Sequence, residues 1–262
     1  MKVGVSTSCL YPLETEKALL FLLENGVRTV EIFLNSYSEA EKPFLKEIKN
    51  MLDSFSAEAV SLHPYTSVVE PFGLFSNYPR RHEETVEYYK RYFENMNIIG
   101  AKYCILHGSK KESKMPFCEY FERYERLFDL SRKEGVYLIQ ENVSRCTSGN
   151  IEFIREMKNS LKEKALFALD VKQCHRSEAS PFKVLEIMGD NLRHVHISDS
   201  GIEGDCLCPG KGSFQTKKLF SALHNMGYEG AIIEEVYRHS YKDYGEIIEG
   251  HNYLKNCLEN VE

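Results

Sequence analysis

The stretch Leu192–Ser200, LRHVHISDS, sets His194 and His196 two residues apart in a β-rich run that breaks into a polar turn. Side chains along a strand alternate faces with period two, so the two imidazoles are expected on one face. A strand that sends two histidines inward just before a turn needs polar partners in the core or a ligand near its end. His194 reads as a hydrogen-bonded core histidine. For His196 the answer depends on what the other strands supply.

Working outward, seven further runs share this length and composition: KVGVSTS from Lys2, TVEIFLN from Thr29, AVSLHPY from Ala59, YCILHGS from Tyr103, VYLIQEN from Val136, ALFALDV from Ala165 and AIIEEVY from Ala231. Between them lie amphipathic helical patterns such as TEKALLFLLENG, FLKEIKNMLDSF, PRRHEETVEYYKRYFENMNIIG, YFERYERLFDLSRKEG and TKKLFSALHNMG. Gly26, Gly100, Gly135 and Gly227 stand where helices commonly end in a left-handed residue. Eight alternating units predict an α/β chain folded as a (β/α)8 barrel, a TIM barrel, in one domain over residues 1–262. A doubly wound open sheet is the competing arrangement. It usually has fewer units and a glycine-rich first turn, which VSTSCLYP is not.

Composition bounds the function. Of 262 residues, 42% are hydrophobic, enough for a large core, and the net charge of −6 offers no basic footprint for nucleic acid. The opening MKVGVSTSCLYPLETEK reads as a strand and not as a signal peptide. No run of 18 apolar residues suggests a membrane span. Eight scattered cysteines read as reduced thiols and point to the cytoplasm. Cys206 and Cys208 are expected to be loop thiols.

Chemistry in such barrels gathers at the C-terminal ends of the strands. Those ends carry Glu31, His63, His107, Glu141 with Asn142, Asp170, His196, and Glu234 with Glu235. Each alone could be a cap or a satisfied core group. Together, carboxylates crowded at one barrel mouth repel one another unless a cation sits among them. A divalent metal is therefore expected, and His196 has partners.

The motifs SLHPY, ILHGS, IQENVSR, ALDVKQCHRS, HVHISDS, DCLCPGKGSF and YEGAIIEEVY, in this order, resemble those of the xylose-isomerase-like barrel superfamily. That superfamily includes sugar and sugar-phosphate isomerases and epimerases and the endonuclease-IV-type apurinic endonucleases of AP endonuclease family 2. The resemblance covers the whole chain. In the epimerase branch it implies one metal held by Glu141, Asp170, His196 and Glu235. Three carboxylates and one imidazole suit Mn²⁺ or Mg²⁺, with Zn²⁺ or Co²⁺ as alternatives. Glu235 is chosen over Glu234 because it precedes Val236 and Tyr237 as the family's ligand does. Glu234 is then expected to face the helix layer and form a salt bridge.

The resemblance further implies proton abstraction next to a carbonyl through a metal-stabilised enediolate, with Glu141 and Glu235 as acid–base groups. A small sugar or polyol would be the substrate. His63 and His107 are read as substrate contacts in preference to a second metal bridged by Glu141. Lys172, placed two residues along the same strand face as Asp170, could stabilise an oxyanion. Arg145 and Arg176 are candidates to bind a phosphate or carboxylate, and Gln173 lies beside the ligands. The run Asp170–Gln173 also occurs in relatives that dehydrate inososes, so a lyase remains open.

The competing function is a three-zinc phosphodiesterase. It would need a histidine at position 173 and an Asp-x-His after the seventh strand. Here Gln173 is an amide, and Asp205 is followed by Cys206 and Leu207, with no histidine at that spacing. Nucleic acid is therefore not the expected partner. Assembly into a homo-oligomer is left open.

Overall fold

The computed structural model describes residues 1–65 and 69–261. Eight parallel strands close into a barrel: β1 (Lys2–Ser6), β2 (Thr29–Phe33), β3 (Glu58–His63), β4 (Tyr103–Leu106), β5 (Tyr137–Glu141), β6 (Phe167–Asp170), β7 (Leu192–Ile197) and β10 (Ala231–Glu234). β10 closes the ring by pairing with both β7 and β1. The expected (β/α)8 barrel is thus the observed fold. Helices α1 (Thr15–Glu24), α2 (Lys42–Ser54), α3 (Pro79–Met96), α4 (Phe117–Lys133), α5 (Ile151–Leu161), α6 (Val171–Arg176), α7 (Pro181–Met188), α8 (Thr216–Asn225) and α9 (Gly245–Glu259) surround it. No helix among the described residues is long and apolar enough to cross a membrane.

Each helix buries an apolar stripe at three- and four-residue spacing, as α1 does with Ala18, Leu19, Leu22 and Leu23. Full burial of one such leucine contributes about 1.5–3 kcal/mol. Proline opens α2, α3 and α7, where its missing N–H costs nothing. Gly26, Gly100, Gly135 and Gly227 all take positive φ after helices, as their spacing predicts.

Three local differences have physical causes. Asp199–Gly201 and Gly204–Leu207 form an antiparallel hairpin, β8 and β9, where only a loop was expected. This pairing buries both Cys206 and Cys208, and all eight cysteines are free. Lys172 does not extend β6, because Asp170 caps a helix that begins at Val171, its side chain accepting from the Gln173 N–H. Glu234 does face the helix layer, but no salt bridge forms: neither carboxylate oxygen has a hydrogen-bond partner. Burial pushes its carboxyl well up, which disfavours the charged form.

Inside the barrel Gly4 faces the lumen. A Cβ there would collide with the Thr29 carbonyl and lie 2.7 Å from Ile233 Cδ1. Gly4→Ala should therefore cost about 1–3 kcal/mol, read as a fall of roughly 2–10 °C in melting temperature. An unchanged melt would mean that β1 and β2 leave more room than this geometry allows.

Candidate metal centre

Four strand ends bring Glu141, Asp170, His196 and Glu235 together. One ligand atom from each lies within 4.8 Å of the others, and all four residues are buried. The backbone explains the placement. Asn142 Nδ2 donates to the Asp170 carbonyl at 3.0 Å, and the Asp170 N–H donates back to Asn142 Oδ1 at 2.7 Å, which locks the ends of β5 and β6 together. Asp170 Oδ1 is used in capping α6, at 2.9 Å from the Gln173 N–H. The Glu235 N–H bonds to the Ile197 carbonyl at 3.0 Å, carrying the β10–β7 ladder one residue further so that Glu235 turns inward. His196 presents Nδ1 at 3.3 Å from Glu141 Oε1 and 3.7 Å from Glu235 Oε2.

Two carboxylate oxygens of this set, Glu141 Oε2 and Asp170 Oδ2, are buried without a hydrogen-bond partner. His107 Nε2 comes within 2.8 Å of the first and Lys172 Nζ within 3.2 Å of the second, but neither contact has hydrogen-bond geometry. Burying such acceptors unpaired is costly. A hard divalent cation among these oxygen ligands would satisfy Asp170 Oδ2, while Glu141 Oε2 faces the His63–His107 pair and Oε1 faces His196, so the residues present fit a metal. Lys172 Nζ also donates to Glu235 Oε2 at 2.7 Å. Burial alone would depress its pKa. The charges of Asp170 and Glu235 outweigh that and hold it well above the usual range, as an ammonium.

His63 and His107 converge beside Glu141. His63 Nδ1 donates to the Pro64 carbonyl at 3.2 Å, and its Nε2 lies 2.8 Å from His107 Nε2. Glu141 Oε2 lies 3.9 Å from His63 Nε2. His107 Nδ1 faces the Arg145 guanidinium at 3.4 Å. Gln173 is turned toward the β5 loop, its Oε1 accepting from the Ser144 N–H and hydroxyl at 3.0 and 2.8 Å. Arg176 departs from expectation. It ends α6 and is committed to Asp205, at 2.5 and 3.0 Å, and to the Tyr237 hydroxyl at 3.2 Å. Opposite charge within reach of the short helix has claimed it, so it is not poised for a substrate anion.

Sequence reasoning gave no role to two residues that shape the site. Glu31 Oε2 lies 3.0 Å from His196 Nε2 and 3.2 Å from His194 Nε2. Its position at a strand end was the available signal. Glu70 accepts from the His107 and Gly108 N–H groups at 2.9 and 2.7 Å and from the Tyr89 hydroxyl at 2.6 Å. It fixes the turn after β4, where Gly108 has φ of 102°. Nothing in the sequence marks a loop glutamate for that task.

The centre opens into a cavity of about 440 Å³ lined by Glu141, Glu235, Arg145 and the rings of Tyr11, Phe33, Tyr65 and Tyr237. That volume falls within the range of small-molecule sites, about 300–1,000 Å³. Aromatic faces beside carboxylates and imidazoles suit a ring with apolar faces and hydroxyl edges.

The profile of the xylose isomerase-like TIM barrel family matches residues 19–257. A D-tagatose 3-epimerase-like protein superposes with a TM-score of 0.81 at 18% identity, covering 100% of this chain and 98% of its own. The apo 3-keto-D-glucoside 4-epimerase YcjR from E. coli gives 0.80 at 17%, covering 98% and 100%. An IolI protein with a bound zinc gives 0.78 at 19%, covering 100% and 98%.

Proton competition tests the centre. Burial and the charges of Glu141 and Glu235, opposed by Lys172, raise the Asp170 carboxyl to about 7. Burial lowers the His196 imidazole, but Glu31 and Glu235 outweigh it and the net shift is upward. Both groups must be deprotonated to bind a metal. Calorimetric titration with Mn²⁺ should show binding at least about tenfold tighter at pH 8 than at pH 6, with protons released at the lower pH. Equal affinity at both would remove Asp170 and His196 from the ligand set.

Proposed function

Because this chain belongs to the xylose isomerase-like TIM barrel family, and because four strand-end ligands converge beside a sugar-sized cavity, we propose that it is a divalent-metal-dependent isomerase or epimerase of a sugar, sugar phosphate or polyol. The observation that carries the reading is the convergence of Glu141, Asp170, His196 and Glu235, with the buried Asp170 Oδ2 left without a hydrogen-bond partner. The ligands are oxygen-rich, so Mn²⁺ or Mg²⁺ is proposed ahead of Zn²⁺ or Co²⁺. When bound, the metal would polarise the substrate carbonyl and favour loss of the neighbouring proton.

The protein's own groups do the rest. Asp170 and His196 hold position. Glu141 shares its two oxygens between the centre and the His63–His107 pair. Glu235 Oε2 is held by Lys172, while Oε1 accepts no hydrogen bond among the described residues and lines the cavity with the rest of the side chain. It is suited to take a proton from a substrate carbon, and Glu141 to return one from the other side. Lys172 keeps Glu235 ionised: burial pushes that carboxyl up, but Lys172 and His196 bring it below its ordinary value. His63 and His107 are placed to exchange hydrogen bonds with hydroxyls, since imidazole both donates and accepts. Arg145, exposed at the rim with no carboxylate partner among the described residues, remains a candidate contact for an anionic or hydroxylated end of the substrate.

A second reading, a metal-dependent phosphodiesterase of the apurinic endonuclease type, draws on one observation. His63, His107 and Glu141 could themselves hold an ion. Against it, Asp205 is engaged by Arg176 and the Gln173 carbonyl by Ser144, so the residues where a third zinc would be held are otherwise occupied.

Two experiments test the proposal. A screen of ketoses, ketose phosphates and inososes for solvent deuterium exchange should identify a substrate. On it, Glu141→Gln and Glu235→Gln should retain metal and lose about 10²–10⁴-fold in rate. Both variants turning over near the wild-type rate would refute the two-base scheme. Abasic duplex DNA should not be incised at catalytic enzyme concentration. Chelator-sensitive incision would promote the second reading.

A further inference from the structure

We propose that Glu31 is a positioning residue of the metal centre: it takes the Nε2–H of His196 and so presents Nδ1, not Nε2, to the metal. The inference rests on the metal-dependent reading above.

The geometry divides the His196 ring between two environments. Nδ1 faces Glu141 and Glu235 at 3.3 and 3.7 Å, on the side where the ligand atoms meet. Nε2 faces the barrel interior, 3.0 Å from Glu31 Oε2. Glu31 is fully buried on β2, and it is anchored from three other strands. Ser6 on β1 donates to Oε1 at 3.0 Å. Ser61 on β3 donates to Oε2 at 2.8 Å. His194 on β7 approaches Oε2 at 3.2 Å and stands edge-on to His196, ring centroids 4.9 Å apart. A carboxylate held this way has no freedom to swing toward the centre. It can only accept what His196 offers.

Glu31, His194 and His196 are also close enough to be weighed as an ion site of their own. Hydrogen bonding argues otherwise. Glu31 Oε2 already accepts from Ser61 and His196 with the His194 imidazole against it, and Oε1 accepts from Ser6, so the carboxylate is engaged on both oxygens. A carboxylate behind a metal-bound imidazole fixes the ring's tautomer and orientation, and raises its basicity. Glu31 is placed to supply that to His196 from the opposite face of the ring.

Two measurements decide it. First, side-chain ¹⁵N NMR of wild-type protein loaded with Zn²⁺, chosen because it is diamagnetic, should show His196 with Nδ1 bound to metal and Nε2 protonated. Coordination through Nε2 overturns the proposal without any variant. Second, Glu31→Gln should weaken Zn²⁺ binding by about 10–100-fold in calorimetry. It should also leave the ¹⁵N signals of His196 exchanging between tautomers in the metal-free state. A purely structural residue would lower the melting temperature and leave the affinity per folded molecule unchanged, which would sink the idea. Failure of the wild-type protein to bind Zn²⁺, Mn²⁺ or Mg²⁺ at all would instead refute the metal-dependent function itself.

Discussion

Four carboxylates, Glu31, Glu141, Asp170 and Glu235, meet in the upper part of one closed barrel, and the rest of the site is arranged around their repulsion. Two like charges 4 Å apart at an effective dielectric near 20 oppose each other by about 4 kcal/mol. Each carboxylate has its own answer. Glu31 lies against two imidazoles, Glu141 against three, and Asp170 and Glu235 share the Lys172 ammonium. Glu31 and Glu141 are held well below the ordinary carboxylate range, because these neighbours overcome burial. Asp170 remains the strained member, and a cation would relieve it most.

The interior of a (β/α)8 barrel is ordinarily filled by layers of branched apolar side chains. Here one layer is polar. Ser6, Glu31, Ser61 and His194 interlock across four strands beneath His196, and each link was selected by the period-two alternation of its strand. The apolar work moves outward, to the interface between strands and helices, where Val5, Ile32, Leu62, Val195 and Ile232 are fully buried. Stability and chemistry are thus assigned to opposite faces of the same strands.

Much of this was legible in the chain. Strand ends, with the polar residues that close them, could be read from β-rich runs because a strand end is a local feature; the choice of four candidate ligands among those residues came from the family resemblance. Contacts made by helix starts and loops were not. Lys172 reaches Glu235 only because a helix begins at Val171 without a linker, and a two-residue offset looks the same in strand or helix until the cap is known. Arg176 meets Asp205 through a hairpin that turn chemistry alone did not reveal. Glu70 acts on a backbone 37 residues away. The pairing of Glu31 with His196 spans 165 residues and passes through a register shift between Val30 and Glu31 on β2. Long separations of this kind leave no trace in periodicity.

The buried ammonium of Lys172 has a consequence for assembly inside a cell. With Asp170 and Glu235 partly balanced by a charge that is covalently part of the chain, the barrel carries some of its counter-charge before any ion enters. Small zinc domains do the opposite and stay unfolded until loaded. A scaffold that is complete beforehand leaves the choice to its oxygen-rich donor set and to the ions on offer, since affinity alone would favour copper and zinc over manganese and magnesium. The occupant would then be set by which ions are free where the chain matures, making metal supply, and not folding, the point of control.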